Sequence, residues 1–292
     1  MPVAPPAAHV LGDMSVKRAR IPSVSDPIGV FDSGVGGLTI LRALREALPE
    51  EHLVYVADSA HMPYGQKAAK LIRARAVAIT SFLAERRAKA VVVACNTATA
   101  AAIDFLRAKF RLPFVGVEPA VKPASAATCS GVVGVLATPG TLDSERFGGL
   151  VERFADGVRV LVQPCDGLAE RIERGAIDDA ETQSQLRRFV GPLLAAGADV
   201  IALGCTHYPL IAPQLRRIVG PEVAIIETGP AVARQLGRLL EEHGLRNREG
   251  RGGETFWVSG SLTAFERTLA RIWAKDARAR RLPAVADAGL AS

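Results

Sequence analysis

Short apolar runs recur along the chain and are separated by longer amphipathic stretches. Each run has five or six residues, is rich in Val, Ile and Leu, and lacks the polar alternation of a strand with one face in water. Such runs are typical of strands that are buried on both faces, as in parallel sheets. We therefore predict strands at IGVFD (28–32), LVYVA (53–57), AVVVA (90–94), PFVGV (113–117), VVGVLA (132–137), VRVLV (158–162) and DVIAL (199–203).

The stretches between these runs have the period of amphipathic helices. The clearest is 67–89, where one apolar face contains Ile72, Ala76, Ile79 and Leu83. Because strands and helices alternate, we expect parallel sheets joined by right-handed crossovers. The predicted fold class is therefore α/β, with sheets flanked by helices.

The sequence also repeats itself at matched positions. IGVFDSGVGGLTIL (28–41) corresponds to VGVLATPGTL (133–142), since each contains a strand, a small hydroxyl residue and a glycine that opens a helix. VVVACNTATA (91–100) corresponds to VIALGCTHYP (200–209), since each contains a strand, a cysteine and a threonine within two residues. The chain is therefore expected to contain two similar halves.

The offsets of the two repeated pairs agree. Gly29 and Gly134 are 105 positions apart, and Cys95 and Cys205 are 110 apart, a difference that one loop can absorb. Ligands of open α/β sheets bind outside the carboxyl ends of the strands. We therefore predict two domains related by a pseudo-two-fold axis, with the active site in the cleft between them and one cysteine from each.

Composition and charge narrow the class of protein. Of the 292 residues only 5% are aromatic, and the net charge of +6 is scattered along predicted helices, as at Arg73 and Arg75, which are interpreted as solvated surface. A nucleic-acid site concentrates such charge on one face, so no nucleic-acid partner is expected. No run has the length of a membrane span, and no signal peptide is visible in the proline-rich first 27 residues. We therefore expect a cytoplasmic protein with no membrane partner.

The four cysteines differ in context. Cys95, Cys129, Cys165 and Cys205 include no C-x-x-C pair and no cluster at zinc-ligand spacing, so neither a metal site nor a disulfide is expected. Cys95 and Cys205 each follow a predicted strand and precede polar residues at the expected start of a helix. That position lowers the pKa of a thiol and offers backbone N–H groups to an anion. Cys129 and Cys165 lack this context and are interpreted as structural or incidental.

Two polar loops also follow predicted strands. DSGVGG (32–37) is followed by Thr39 where a dinucleotide fingerprint needs its third glycine, so no nucleotide is expected. Asp32 and Ser33 are instead expected to face the cleft, where the carboxylate can hold an ammonium group; alternatively, Asp32 only caps the helix. The segment 58–67, DSAHMPYGQK, is either a surface loop or a further wall of the cleft.

The cysteine pair leaves two reactions open. His207 lies two residues beyond Cys205, which is an arrangement found in Cys-His hydrolases and amidotransferases. Acyl transfer needs one thiol, whereas two thiols in equivalent settings fit the inversion of a stereocentre, with a proton removed from one face and another delivered to the opposite face. Charge on the carbanion can be stabilised by neutral donors, so no cofactor is expected. The candidate donors are Asn96, Thr97 and Thr206.

Together these motifs resemble the glutamate racemases of the cofactor-independent aspartate/glutamate racemase superfamily. The resemblance extends from about residue 28 to residue 273 and includes IGVFDSGVGGLT, PYG, ACNTATA, GVEPAVKPA, GTLDSERF and LGCTHYPL. It implies that Cys95 and Cys205 are the paired proton donors and acceptors. Cys95 would be the base for D-glutamate and Cys205 the base for L-glutamate, with assistance from Asp32 and His207.

The resemblance also implies substrate contacts and supporting acids. The implied contacts are Asp32, Ser33, Tyr64, Gly65, Asn96, Thr97, Thr206 and His207. Asp58 and Glu173 fall where the family has further cleft acids. The segment CDGLAERIE departs from the commoner family pattern, so Glu170 is an alternative to Glu173.

In the family, a second α/β domain is inserted into the first. For this chain the resemblance implies a first domain of 28–117 plus 230–275 and a second domain of 118–229. The ends, a disordered extension at 1–27 and a tail at 276–292, are expected to be mobile.

The implied reaction supplies D-glutamate for peptidoglycan synthesis. The nearest alternative is an aspartate racemase, but those enzymes typically carry an acid after the second Cys-Thr, where this chain has His207. A module that binds amino acids without catalysis is a third interpretation, against which the two cysteines argue. The sequence leaves open whether the protein is a monomer or a homodimer.

Overall fold

The computed structural model describes residues 22–283. Its strands are β1 (Ile28–Asp32), β2 (Leu53–Ala57), β3 (Ala90–Val93), β4 (Phe114–Gly116), β5 (Val132–Ala137), β6 (Arg159–Pro164), β7 (Val200–Gly204), β8 (Ala224–Ile226), β9 (Glu254–Val258) and β10 (Ala279–Arg281). They form a six-stranded and a four-stranded sheet, and the described pairings in both are parallel. The predicted α/β class is confirmed.

A helix or a pair of helices connects each of these strands to the next. Within the described residues they are α1 (Leu38–Ala47), α2 (Ala69–Glu85), α3 (Asn96–Lys109), α4 (Val121–Ala127), α5 (Pro139–Leu142), α6 (Glu145–Phe154), α7 (Leu168–Glu173), α8 (Ala180–Ala195), α9 (Ala212–Val219), α10 (Gly229–Glu242) and α11 (Leu262–Ile272). Side-chain caps mark three helix starts, since Ser144, Asp179 and Ser261 each accept a hydrogen bond from the backbone N–H three residues later. Short 3₁₀ turns occupy Ser59–His61, Tyr64–Gln66 and Tyr208–Ile211.

The two sheets share one strand order. The order β2-β1-β3-β4 in the first sheet corresponds to β6-β5-β7-β8 in the second, and β9 and β10 extend the first sheet beyond β2. This correspondence confirms the internal repeat. In each half the chain passes from the first strand to one neighbour and then crosses to the other side, which opens a crevice at the carboxyl ends of the strands. Asp32 and Cys95 lie at the first such crevice, and Ala137 and Cys205 lie at the second.

Helices cover both faces of each sheet. On the first sheet, α1, α10 and α11 pack on one face and α2 and α3 on the other; on the second, α7, α8 and α9 oppose α4 and α6. The central strands β1, β3 and β7 are buried throughout, as predicted. The same prediction is wrong for β6, because β6 is an edge strand and Val162 is 47% exposed.

The helix predicted at 67–89 is α2, which is shorter at both ends. The face predicted from its period is buried, and it consists of Ile72, Ala76, Ile79 and Leu83. The helix ends just before Arg87, whose φ of +66° is left-handed and cannot continue a right-handed helix. Arg75 on the same helix is also buried, so its interpretation as solvated surface is wrong.

The beginning of the described chain is ordered rather than disordered. Asp26 is buried and lies 2.8 Å from the Arg87 guanidinium, and the Lys89 N–H donates to the Pro27 carbonyl. The prediction of a disordered extension over residues 1–27 is therefore wrong for residues 22–27. Residues 1–21 lie outside the described residues.

The C-terminal part of the chain adds a strand to the first sheet. β10 pairs in parallel with β9, with Arg280 opposite Trp257. The prediction of a mobile tail over residues 276–292 is therefore wrong for Ala279–Arg281. Residues 284–292 lie outside the described residues.

The second sheet is formed by a continuous part of the chain. The chain leaves the first sheet after β4, builds β5 to β8, and returns through α10 to β9 and β10. The exact domain limits given above stay a prediction. No helix among residues 22–283 is both long and apolar enough to cross a membrane.

A buried ion pair anchors the beginning of the first sheet and gives a stability prediction. Lys89 Nζ lies 2.6 Å from Glu51 Oε2, and the two side chains are 0% and 1% exposed. We expect Lys89→Met to lower the free energy of unfolding by about 3–5 kcal/mol, because it leaves a buried carboxylate without its partner. Denaturation in urea measures the change.

The double variant Glu51→Gln/Lys89→Met should lose less stability than Lys89→Met alone, because no uncompensated charge remains. As a control, Arg248→Met breaks the exposed pair with Glu241 and should change stability little. Equal losses in the two lysine variants would show that packing, and not charge, sets the cost.

Candidate active site

The two crevices open onto one shared cavity. Its wall contains most of the site residues predicted from the sequence, namely Ser33, Tyr64, Gly65, Cys95, Asn96, Thr97, Cys205, Thr206 and His207. The first six follow β1, β2 and β3 of the first sheet, and the last three follow β7 of the second. Folding thus brings together two cysteine motifs that are far apart in sequence.

Cys95 occupies the N-cap position of α3 and is almost fully buried. Its thiol donates a hydrogen bond to Ser33 Oγ at 3.8 Å. Burial, together with the negative charge of Asp32, raises the pKa of Cys95 well above its ordinary value, and the Ala98 N–H at the start of α3 opposes this only in part. The lowered thiol pKa expected from the helix terminus is therefore wrong for Cys95, because desolvation outweighs the helix.

The second cysteine has a different charged neighbour. His207 Nδ1 lies 3.8 Å from Cys205 Sγ, and His207 Nε2 lies 2.9 Å from Glu173 Oε2. Burial alone lowers the pKa of His207, but the Cys205 sulfur and the Glu173 carboxylate outweigh burial and raise it well above the ordinary 6.5. At neutral pH His207 is therefore a cation between a sulfur and a carboxylate.

Asp32 lies behind the cavity wall. It is fully buried, and its Oδ2 accepts a hydrogen bond from the Gly37 N–H at 2.6 Å and from Thr206 Oγ1 at 3.5 Å. Burial raises the pKa of Asp32, while the positive charge of His207 opposes the shift. Asp32 thus holds the turn before α1 and contacts the second cysteine loop, but it does not border the cavity, so the expectation that its carboxylate faces the cleft is wrong.

Asp58 lies behind Tyr64. Its carboxylate accepts hydrogen bonds from the Tyr64 hydroxyl at 2.7 Å and from the Arg75 guanidinium at 2.9 and 3.0 Å. Although burial alone raises the pKa of Asp58, the hydrogen bonds from Arg75 and Tyr64 lower it overall. Asp58 is absent from the cavity wall, so its contact with the site runs through Tyr64.

The two acids of α7 point to different places. Glu173 Oε2 contacts His207 and also accepts from the Val35 N–H at 2.8 Å, whereas Glu170 is part of the cavity wall. Glu170 Oε1 accepts a hydrogen bond from Gln66 Nε2 at 3.3 Å in an exposed position. The alternatives left open by the sequence therefore have separate positions: Glu170 borders the cavity, and Glu173 supports the histidine.

Three threonine hydroxyls form a cluster that the sequence did not lead us to expect. Thr97 Oγ1 lies 3.0 Å from Thr138 Oγ1 and 3.3 Å from Thr141 Oγ1, and the last two are 3.0 Å apart. The cluster joins the starts of α3 and α5, and Thr138 is part of the cavity wall. The repeat contained the signal, because Thr138 follows β5 as Ser33 follows β1.

The other two cysteines, Cys129 and Cys165, have different environments in the folded protein. Cys129 is exposed, whereas Cys165 is buried in the core beneath α7 and α8 and also borders the cavity. Burial raises the pKa of Cys165, so the thiol is protonated. In the part of the chain that the structure describes, no group of His, Cys, Asp and Glu is arranged to hold a metal ion.

The cavity wall offers neutral donors to an anion. Among the described residues that form it, none is a lysine or an arginine. The donors are instead the side chains of Asn96, Thr97, Thr138 and Thr206 and the backbone N–H groups at the start of α3. Hydrogen bonds from such donors are stronger in a dry cavity than in water.

Known proteins are similar to this chain in sequence and in fold. The family model described as Asp/Glu/hydantoin racemase matches residues 28–236, which include both cysteine motifs. The chain belongs to this racemase family. A glutamate racemase from Ectopseudomonas mendocina is 53% identical over 253 residues, which are 86% of this chain and 96% of that relative. The family resemblance seen in the sequence is confirmed.

Solved racemase structures have the same architecture. A glutamate racemase isoform from Bacillus anthracis matches with a TM-score of 0.82 at 30% identity, over 88% of this chain and 97% of that one. The Escherichia coli glutamate racemase, solved with L-glutamate and the activator UDP-MurNAc-Ala, matches with a TM-score of 0.77 at 32% identity, over 88% and 98%. The fold predicted from alternating strands and helices is therefore that of the family.

The ion pair between Glu173 and His207 gives a prediction with a defined sign. We expect Glu173→Gln to lower the pKa of His207, because the carboxylate that favours the imidazolium is lost; titration by NMR measures it. A raised histidine pKa stabilises the fold fully below about pH 6.5, and this stabilisation is lost as pH rises through the folded-state pKa. The stability lost by the variant should therefore be largest near pH 6 and shrink at alkaline pH.

Glu170→Gln is the matched control, since Glu170 lies one turn earlier on α7 and its described hydrogen bond is to Gln66 and not to His207. It should leave the His207 titration unchanged. A loss of stability in Glu173→Gln that grows with pH would contradict the assigned charge of His207.

Proposed function

We propose that the protein is a glutamate racemase that interconverts L-glutamate and D-glutamate by proton transfer between two cysteines, without a cofactor. The observation that carries this proposal is the placement of Cys95 and Cys205 after equivalent strands, β3 and β7, of two sheets with the same strand order. Both thiols border one cavity. Relatives named glutamate racemase that are about half identical over most of the chain support the substrate.

The reaction inverts the α-carbon. One cysteine, as a thiolate, removes the α-proton from one face, and the other, as a thiol, delivers a proton to the opposite face. By resemblance, Cys205 is the base for L-glutamate and Cys95 the base for D-glutamate. The bond that breaks is the α C–H on one face, and the bond that forms is a new C–H on the other, so the two sulfurs exchange protonation states in each turnover.

The charges in this structure fit one direction of the reaction. Burial keeps Cys95 protonated, so it is ready to donate. His207 lies beside Cys205, with Nδ1 3.8 Å from Sγ, close enough to exchange a proton with it. We therefore propose that Cys95 is the acid and Cys205 the base when L-glutamate binds.

Hydrogen-bond donors, all of them neutral except the His207 cation, bind and polarise the substrate in this proposal. The proposed contacts are Ser33, Tyr64, Gly65, Asn96, Thr97, Thr206 and His207, with Asp32 supporting Ser33 and Thr206 from behind. Hydrogen bonds to the α-carboxylate strengthen as charge from the carbanion moves onto it, which stabilises the transition state. We add Thr138 to these contacts, because its hydroxyl belongs to the cavity wall.

His207 also bears on the rival functions. Aspartate racemases typically have an acid at this position, so the histidine favours glutamate. The chain Cys205–His207–Glu173 has the order of a hydrolase triad, which is the observation in favour of a Cys-His amidohydrolase. Such an enzyme would form a thioester on Cys205 with an amide substrate, whereas a racemase forms no covalent intermediate.

The proposed role is the supply of D-glutamate for peptidoglycan synthesis. A racemase whose substrate is cytosolic glutamate needs no membrane partner. Cytoplasmic localisation and a homodimer both stay predictions.

Isotope exchange tests the proposed reaction. Incubation with L-glutamate in deuterium oxide should produce D-glutamate that carries deuterium at the α-carbon, because the delivered proton comes from a solvent-exchanged thiol. Chiral chromatography with mass spectrometry measures both products, and aspartate in parallel tests the substrate. The absence of both inversion and label would refute the proposal.

Substitution of each cysteine tests the two-base assignment. Cys95→Ser and Cys205→Ser should each lower racemisation by at least about 10²-fold, because a hydroxyl is a far weaker acid and base near neutral pH than a thiol. Cys129→Ser, at an exposed position, is the control and should keep full activity. Normal turnover in both directions by either catalytic variant would rule out the assignment.

A further inference from the structure

Arg75 is a buried arginine on α2 that no step of the proposed reaction uses. Its side chain is 5% exposed, and both prongs of the guanidinium contact Asp58, with Nε 3.0 Å from Oδ2 and Nη2 2.9 Å from Oδ1. A planar guanidinium that donates two hydrogen bonds fixes the orientation of a carboxylate as well as its charge. Asp58 is therefore held in one orientation from the side of α2.

Asp58 also contacts the loop that follows β2, and so fixes the position of that loop relative to α2. Its Oδ2, which accepts from Arg75, also accepts a hydrogen bond from the Tyr64 hydroxyl at 2.7 Å. Tyr64 is buried, and it begins the 3₁₀ turn Tyr64–Gln66. The phenol thus ties a cavity-lining loop to α2 through one carboxylate.

The loop has little freedom on its other side. A Cβ on Gly65 would lie 3.2 Å from Thr138 Cβ, and a Cβ on Gly140 would lie 2.8 Å from the Gly65 carbonyl oxygen. The backbone at Gly65 therefore packs directly against the start of α5 from the second sheet. A shift of Tyr64 would move Gly65 relative to the threonine cluster that borders the cavity.

We propose that Arg75 is a positioning residue for the reaction: through Asp58 and Tyr64 it holds the Tyr64–Gly65 backbone where that backbone binds the substrate. This inference rests on the proposed function. Arg75 is not among the residues of the cavity wall, and its two hydrogen bonds to Asp58 act on the geometry of the Tyr64 loop. Its loss should raise KM more than it lowers kcat.

The test compares two arginines of α2. Arg75→Met should raise KM for both enantiomers of glutamate about tenfold, because displacement of a substrate-holding group by a fraction of an ångström weakens binding. The change in kcat should stay below about threefold. Arg73→Met, two residues earlier at an exposed position, should behave like the unchanged protein. Arg75→Lys should recover only part of the loss, since an ammonium lacks the two-pronged geometry.

A purely structural role predicts another pattern. Loss of folded protein lowers apparent kcat and leaves KM unchanged, so that result, or equal KM values in Arg75→Met and Arg73→Met, would overturn the inference. If Arg75→Met does not fold, Tyr64→Phe decides, because it removes only the hydroxyl that contacts Asp58. A raised KM in Tyr64→Phe supports the inference, and an unchanged KM overturns it.

The test of Arg75 and the test of the proposed function can fail independently. Absence of racemisation in the unchanged protein would count against the function. Glutamate affinity, measured by calorimetry in the same variants, still decides whether Arg75 positions the loop. Weaker glutamate binding in Arg75→Met than in Arg73→Met supports the inference, and equal binding refutes it.

Discussion

Burial of the strand ends that carry the two cysteines is the constraint on which the site depends. In each half the chain crosses from one side of its first strand to the other, which leaves a crevice at the carboxyl ends of the central strands. Cys95 and Cys205 follow those strands and are 6% and 8% exposed. Any charge placed there is poorly solvated, so each polar group nearby must be paired or neutral.

The polar network around the cavity satisfies that requirement through contacts between distant segments. Glu173 pairs with His207, Asp58 with Arg75, and Asp32 with the Gly37 N–H. Each carboxylate lies behind a residue of the cavity wall and does not itself border the cavity. A substrate anion therefore does not border these three carboxylates, which limits its repulsion by them, although the wall itself contains Asp166 and Glu170 beside the neutral donors.

The sequence predicted the parts of the fold that depend on continuous burial. Seven strands were found because each lies in a mainly apolar run. The other three, β8, β9 and β10, were missed. β8 and β10 are short strands at sheet edges, and β9 (Glu254–Val258) starts with polar residues. The cysteine pair followed from the repeat. The raised pKa of Cys95 and the burial of Arg75 did not, since both depend on depth in the folded protein and on neighbours far away in sequence.

The two halves share a backbone plan but surround their thiols with different charges. Cys95 has Ser33 and, behind it, Asp32, whose negative charge helps to raise the pKa of the thiol, whereas Cys205 has His207 as its neighbour. A symmetric reaction needs each thiol to reach both protonation states. In the proposed reaction with L-glutamate, a proton reaches Cys205 and neutralises the sulfur whose charge raises the pKa of His207. The loss of a proton from Cys95 places a new charge near Asp32. In the proposed reaction both changes occur in one turnover. The free-energy difference between the two protonation states of the empty enzyme, and not only the chemistry at the α-carbon, therefore determines how evenly the two directions proceed.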